Sequence, residues 1–153
     1  MTGDRKIYRL AYGVACIILG ATFLAAGYHK VMDPPAFAAA VRAYELLPNG
    51  LVPISALFFQ WLEIVCGVCL LAVPRLRVAA LWTVLVLLIL FSGAIGINLL
   101  RGMEISCGCF STAPHTQPMS WMSVVRNLLL MLMAGMALTA RKRSRRDADG
   151  TDD

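Results

Sequence analysis

Four apolar segments, each about as long as a lipid bilayer is thick, constrain this chain more than any other feature. They run over residues 7–28, 53–73, 78–100 and 119–140. A helix needs about 20 apolar residues to cross a hydrocarbon core that is ~30 Å thick. Because lipid offers no hydrogen-bond partners, the backbone N–H and C=O groups of each span must bond to one another. An α-helix allows this within a single span. The segments therefore predict an all-α integral membrane protein, an up-down-up-down bundle of four transmembrane helices.

The composition leaves little room for anything besides these spans. Of the 153 residues, 59% are hydrophobic and only 15% are charged, whereas about a quarter of the residues in a soluble domain are charged. We therefore expect one membrane domain over residues 7–140. It is preceded by a short N-terminus (1–6) and followed by a tail that is first basic and then acidic (141–153).

The connection between the first two spans has a helical composition of its own. Residues 36–47 are rich in alanine but carry Arg42 and Glu45, and Pro48-Asn49-Gly50 then interrupts the pattern. An apolar stretch of this length that carries charges is typical of a helix lying at the membrane surface. We predict a short interfacial helix between spans one and two.

Basic residues are distributed unequally between the two ends of the spans. Ten lie at the N-terminus, between the second and third spans and in the tail, and three, Lys30, Arg42 and Arg101, lie at the opposite end. Lys and Arg collect on the cytoplasmic side of membrane proteins. We therefore expect a multi-pass membrane protein with both termini in the cytoplasm and the Cys107 connection outside.

Five of the fourteen basic residues lie in the 141–146 run, directly after the fourth span. Basic runs in that position are typical topology signals and contact anionic lipid head groups. We therefore predict that the chain contacts the lipid bilayer and binds no nucleic acid. Since neither a Gly-rich phosphate loop nor a hydrolase-like cluster is present, the leading interpretation calls for no cofactor and no metal.

Two of the five cysteines lie in a connection between spans. Cys107-Gly108-Cys109 follows the third span on the predicted outer side, where disulfides persist. Two thiols at this spacing close a small, strained ring, and strained disulfides exchange readily. We interpret Cys107 and Cys109 as candidate catalytic residues for thiol–disulfide exchange. Two alternatives stay open, namely unreactive or structural cysteines and a copper(I) site, because thiolates are soft ligands and methionine and histidine lie nearby.

The remaining three cysteines lie within the spans. Cys16 fits the role of a small packing residue. Cys66 and Cys69 form a CxxC pattern, but on a continuous helix they lie one turn apart, which disfavours a direct disulfide. Both packing and a transmembrane thiol relay remain open for this pair.

Two charged residues, Glu63 and Arg126, lie deep inside the predicted spans. At 1.5 Å per residue, Glu63 lies about 15 Å deep and Arg126 roughly 10 Å deep on the same side. Charges at such depth are costly unless they pair or line a polar cavity. We predict a Glu63–Arg126 pair, with Gln60, Asn98 and Asn127 completing a polar network.

The charged network has two interpretations. In the first, the ion pair only holds the bundle together. In the second, Arg126 or Lys30 lies under the Cys107 loop and favours the thiolate form of that cysteine. The candidate supporting network therefore consists of Lys30, Glu63, Arg126 and Asn127.

Several short motifs follow one another over nearly all of residues 7–140. They are Gly27-Tyr28-His29-Lys30 with Asp33, the block over residues 41–48, Glu63, the 101–110 loop with its two cysteines, and Arg126-Asn127. In this order they resemble the methylamine utilisation protein E (MauE) family, a branch of the DoxX-like four-helix membrane proteins. The family's namesake is associated with a disulfide-rich dehydrogenase subunit and a thioredoxin-like companion. The resemblance therefore implies a membrane protein that helps secreted partners mature.

The resemblance also suggests what the chain interacts with. We expect an extracytoplasmic thioredoxin-like protein or a maturing secreted substrate as its partner. Methylamine metabolism is one context for this role, although members of the family also occur outside it. The main alternative is a non-enzymatic assembly or transport subunit whose buried charges only stabilise the bundle.

Overall fold

A computed structural model describes residues 2–101 and 121–149. In chain order the helices are α1 (Thr2–Met32), α2 (Pro34–Ala43), α3 (Val52–Ala72), α4 (Arg77–Leu100) and α5 (Trp121–Asp149). All of these except α2 are long and apolar enough to cross a membrane, and the described ranges contain no strand. The prediction of an all-α bundle with four membrane spans is confirmed.

The four long helices form a ring in which each packs against two neighbours. Helices α3 and α5 both contact α1, and both also contact α4. Helices α1 and α4 therefore lie across the bundle from each other, as do α3 and α5. The interior is filled by fully buried aliphatic side chains, including Leu19, Leu70, Leu81 and Val84. The outer faces are apolar as well, which suits helices that are surrounded by lipid.

Helices α1 and α3 lie close together where two glycines face each other. A Cβ atom on Gly67 would lie 3.0 Å from the carbonyl oxygen of Gly20 and 2.7 Å from Cγ of Leu24. A Cβ on Gly20 would in turn lie 3.1 Å from the carbonyl oxygen of Gly67. Small residues let membrane helices come close enough for backbone contact. This contact places α1 and α3 side by side along the bundle.

Helix α1 continues to Met32, four residues beyond the predicted end of the first span. Lys30 therefore lies in the last helical turn and not in a connection. Asp33 then begins α2, because its Oδ1 accepts a hydrogen bond from the backbone N–H of Ala36 at 3.1 Å. Two prolines occupy the first helical positions of α2, where a missing N–H costs nothing.

The short helix between spans is present but shorter than the sequence pattern predicts. It ends at Ala43, and Glu45 takes a positive φ of 51°. A left-handed backbone conformation cannot continue a right-handed helix. The predicted range of 36–47 therefore begins two residues late and extends four residues too far.

Helix α5 continues through the basic run to Asp149. Two of its arginines contact tyrosines of α1. Arg141 lies 3.4 Å from the hydroxyl of Tyr12, and Arg143 lies 3.4 Å from the hydroxyl of Tyr8. Each guanidinium also lies within 6 Å of the tyrosine ring, at 5.7 Å and 5.9 Å, a distance at which cations and aromatic rings attract. The basic run is therefore part of the helix packing at the end of the bundle that carries both termini.

The glycine contact between α1 and α3 predicts an asymmetric response to Gly→Ala substitution. Gly67→Ala should lower the free energy of unfolding by about 1–3 kcal/mol, the usual cost of overpacking. Gly93→Ala in α4 is the matched control, because a Cβ there meets nothing within 4 Å, and it should be neutral or stabilising. Denaturant unfolding in detergent micelles measures both. Equal effects of the two substitutions would contradict the close approach.

Candidate functional site

A buried ion pair between Lys30 of α1 and Glu63 of α3 lies inside the bundle. The Lys30 Nζ atom donates to both carboxylate oxygens of Glu63, at 2.5 Å and 2.7 Å. Only 1% of Lys30 and 3% of Glu63 is exposed. Charges so far from water are tolerated when a partner neutralises them and satisfies their hydrogen bonds. The pair joins α1 and α3 on the same face that the two glycines bring together.

Two phenylalanine rings enclose the lysine end of the pair. Lys30 Nζ lies 4.7 Å from the ring centroid of Phe37 in α2 and 5.0 Å from that of Phe91 in α4. An ammonium group is attracted to the face of an aromatic ring, and the attraction is larger when both groups are desolvated. The ammonium therefore contacts three helices besides its own, which are α2, α3 and α4. Sequence reasoning missed both phenylalanines, because nothing in the pattern distinguishes them from lipid-facing aromatic residues.

The partner of Glu63 differs from the one the sequence predicts. We expected Arg126 of α5, but the Glu63 carboxylate is bound by Lys30. Helices α3 and α5 face each other across the ring, whereas α1 and α3 are direct neighbours. The extra helical turn of α1 also carries Lys30 into the bundle. Depth along the membrane correctly predicts which charged residues lie at a similar level. Which of them form an ion pair depends on which helices are neighbours.

Arg126 and Asn127 nevertheless belong to the same site. They line a small cavity together with Lys30 and Glu63, and Thr22 of α1 contributes a hydroxyl. Its volume of about 30 Å³ accommodates one or two water molecules. All four residues of the predicted supporting network therefore meet at one internal polar cavity.

Of the predicted polar residues, Asn127 lies at the cavity, whereas Asn98 and Gln60 are buried at separate positions. Asn127 Nδ2 donates to Ser92 Oγ at 3.3 Å, which links α5 to α4 beside the cavity. Asn98 Nδ2 donates to the carbonyl oxygen of Ala94 at 3.0 Å, within its own helix. Asn98 and Gln60 are both at least 97% buried, yet neither lines the cavity with Glu63. The predicted polar network is thus smaller than expected and is centred on Lys30.

A second, apolar cavity lies beneath α2. It has a volume of about 250 Å³ and is bounded by Phe37 and Val41 of α2, Phe59 of α3 and Phe91 of α4. Lys30 also lines it, so this lysine lies between a polar and an apolar cavity. Helix α2 therefore covers the bundle at the end where α1 terminates.

The candidate catalytic residues Cys107 and Cys109 lie outside the described residues. The three cysteines that the structure does describe are free thiols. Cys16 and Cys66 are buried in the core, and Cys69 is half-buried. In the described ranges, no three His, Cys, Asp or Glu side chains are grouped closely enough to hold a metal ion.

The fold and the site together define a class of small membrane proteins with four spans, a covering helix and a buried Lys–Glu pair in a polar cavity. The chain belongs to the MauE family, since the family model described as "Methylamine utilisation protein MauE" matches residues 8–140. The family resemblance seen in the sequence is thereby confirmed. No solved structure matches the chain significantly.

Curated relatives carry the same family name. The methylamine utilization protein MauE of Paracoccus denitrificans is 37% identical over 119 residues, which covers 77% of this chain and 63% of the relative. The protein of the same name from Methylophilus methylotrophus is 37% identical over 125 residues, covering 81% of this chain and 64% of the relative. The Methylorubrum extorquens protein is 36% identical over 112 residues. The chain thus matches somewhat less than two thirds of the length of these relatives.

The ion pair predicts strong coupling between residues 30 and 63. Lys30→Met and Glu63→Gln should each lower the free energy of unfolding by about 3 kcal/mol, because each leaves a buried charge without its partner. The double variant should lose less than the sum of the two, since contact between residues shows itself as non-additivity. Unfolding of the purified protein in detergent gives all four free energies.

A matched cycle uses Arg126→Leu with Glu63→Gln. Arg126 lines the same cavity, whereas Lys30 Nζ is the group that donates to both carboxylate oxygens of Glu63. Its coupling to Glu63 should therefore be smaller than that of Lys30. A larger coupling in the Arg126 cycle would contradict the assignment of Lys30 as the partner.

Proposed function

We propose that this protein supports thiol–disulfide exchange in the maturation of extracytoplasmic proteins, with Cys107 and Cys109 as the reacting residues. The observation that carries the proposal is the position of the CxC motif between α4 and α5. The other cysteines belong to the helices of the bundle and are wholly or partly buried. Cys107 and Cys109 are therefore the thiols of this chain best suited to meet a protein partner.

One charged residue at this end of the bundle, Arg101, supports the proposal. Helix α4 ends at Leu100, and α5 begins at Trp121, so the CxC segment joins the bundle at the end where Lys30 and Arg126 lie. Lys30 is neutralised by Glu63, and its role is to hold the bundle. Arg101 is exposed at the C-terminal cap of α4, six residues before Cys107. A nearby positive charge favours the thiolate, which is the reactive form of cysteine.

The exchange reaction balances without a bound cofactor. A thiolate of the maturing protein attacks one sulfur of the Cys107–Cys109 disulfide, forms a mixed disulfide and releases the other cysteine as a thiolate. A second thiolate of the substrate then displaces the first cysteine, so the substrate gains a disulfide and this chain becomes a dithiol. The disulfide of an oxidised thioredoxin-like protein restores the starting state by the same two steps and is itself reduced.

The physiological context we propose is methylamine utilisation. The curated relatives are named for that process, and a secreted, disulfide-rich protein is the kind of substrate that the exchange reaction requires. We also propose that the protein resides in the bacterial inner membrane with both termini in the cytoplasm. The bias of ten basic residues to three supports this orientation.

A second candidate function is a non-enzymatic assembly subunit. The observation that favours it is that the described charges pair inside the bundle, because Lys30 and Glu63 neutralise each other and Lys30 also contacts α2 and α4. A site of this kind specifies how helices pack and needs no substrate. The cysteine variants below separate the two functions.

The exchange mechanism predicts that a single cysteine can trap the partner. Cys109→Ser should leave Cys107 joined to a partner as a mixed disulfide, because the thiol that would resolve it is missing. Non-reducing gels of whole cells should show a high-mass band that reductant removes, and mass spectrometry identifies the trapped protein. Cys69→Ser is the matched control, because it removes a half-buried thiol of α3 and should trap nothing.

The double variant Cys107→Ser with Cys109→Ser distinguishes the alternatives. It should accumulate in the membrane at normal levels while partner maturation fails. Normal maturation in this variant would reject the exchange mechanism in favour of the assembly subunit. Loss of bound copper(I) without any trapped partner would identify a metal site instead.

The orientation can be tested independently of the chemistry. A fusion after Arg146 or after Met1 should be active with a reporter that works in the cytoplasm and inactive with one that works outside. A fusion within the connection after α4 should give the opposite result. The physical reason is the excess of basic residues at the end that carries the termini. An extracytoplasmic C-terminus would place the CxC motif in a reducing compartment, where the proposed disulfide would not persist.

A further inference from the structure

We propose that a groove between α4 and α5, at the end of the bundle that carries the termini, binds one anionic phospholipid. The groove has a volume of about 740 Å³ and is lined by Trp82 and Leu85 of α4 and by Gly135, Leu138, Arg141 and Lys142 of α5, among others. It lies toward the opposite end of the bundle from the Lys30 cavity and the CxC segment. The proposal is therefore independent of the proposed exchange function.

The apolar part of the groove, away from Arg141 and Lys142, fits an acyl chain. Trp82 is 59% exposed on the outer face of α4, and Leu85 and Leu138 line the same depression. Gly135 leaves a notch in the wall, because a Cβ atom at this position would meet nothing within 4 Å. A hydrocarbon chain laid against these side chains contacts residues of both α4 and α5.

The mouth of the groove carries positive charge. Arg141 and Lys142 line it, and among the residues whose side chains the structure describes no Asp or Glu does so. Arg141 is held in place by its contact with Tyr12, 3.4 Å from the hydroxyl and 5.7 Å from the ring centroid. Lys142 is exposed and adjacent in sequence. The two cations lie at the C-terminal end of the apolar span of α5, where basic side chains reach the head groups of anionic lipids.

This combination selects a phospholipid with a net negative charge. A phosphate at the mouth is neutralised by the two basic side chains, while the attached acyl chains fill the apolar depression below. A free phosphate uses only the mouth and gains nothing from Trp82 or the notch. A zwitterionic lipid brings its own cation next to Arg141 and Lys142, so its charge is not complementary to this mouth.

A substitution at Gly135 distinguishes a defined lipid-binding site from diffuse attraction of anionic lipids to the basic tail. Gly135→Leu fills the notch with a side chain and leaves every charge in place. Since no atom lies near the added Cβ, the substitution should not disturb helix packing. Gly13→Leu in α1 is the matched control, because its Cβ also meets nothing within 4 Å and Gly13 does not line this groove.

The experiment measures thermal unfolding of the full chain in nanodiscs of phosphatidylcholine with and without phosphatidylglycerol. Phosphatidylglycerol should raise the melting temperature of the wild type and of Gly13→Leu by roughly 5 °C, the size expected for a ligand well above its Kd. The increase should be largely lost in Gly135→Leu and in the double variant Arg141→Gln with Lys142→Gln. Native mass spectrometry should show one retained phosphatidylglycerol in the wild type and none in these variants.

Three results would overturn the proposal. A full increase in Gly135→Leu would mean that the attraction is diffuse and that no groove site exists. Equal stabilisation by pure phosphatidylcholine would show that charge is not recognised. A rise in the melting temperature when glycerol phosphate is added to phosphatidylcholine nanodiscs would show that the site binds the phosphate group alone and does not require a lipid. If the double charge variant fails to fold, Gly135→Leu still decides between a site and diffuse attraction.

Discussion

A lysine ammonium and a glutamate carboxylate buried in the same bundle must lie within contact distance of each other, and the rest of this structure is arranged around that requirement. Lys30 and Glu63 come from different helices, so α1 and α3 must run close together at a fixed height. The facing glycines, Gly20 and Gly67, provide that closeness by allowing backbone contact. Packing at one level of the membrane and charge pairing at another therefore specify the same register between the two helices.

The ion pair also explains why a short helix covers one end of the bundle. Phe37 reaches the ammonium from α2, and Phe91 reaches it from α4. Without α2, the lysine at the end of α1 would be open to its surroundings, and its charge would be partly solvated. Breaking a buried ion pair is costly, whereas replacing both partners with apolar residues often is not. Such a pair therefore contributes more to the choice of one helix arrangement than to total stability.

The sequence predicts the number, type and approximate position of the spans, because hydropathy and length directly reflect the thickness of the membrane. It also identifies Glu63, Arg126 and Asn127 as residues that must face inward. The partner of Glu63 could not be predicted in the same way, since pairing depends on which helices are neighbours in the ring. Lys30 was assigned to a connection because the hydropathy pattern ends before α1 does, and Asp33 determines the true boundary by capping α2. Cys107 and Cys109 stand out by composition alone, and their role stays a prediction.

The length of the two terminal helices has a mechanical consequence. Helix α1 has 31 residues and α5 has 29, so at 1.5 Å per residue each is about 45 Å long, well beyond a hydrocarbon core of ~30 Å. The two paired contacts, Tyr8 with Arg143 and Tyr12 with Arg141, clamp the helices together near their outer ends. The first turns of α1 and the last turns of α5 are thus held together as a pair at one end of the bundle. A force or a bound protein acting on either terminus is transmitted to both helices, and through α1 to the lysine at its far end.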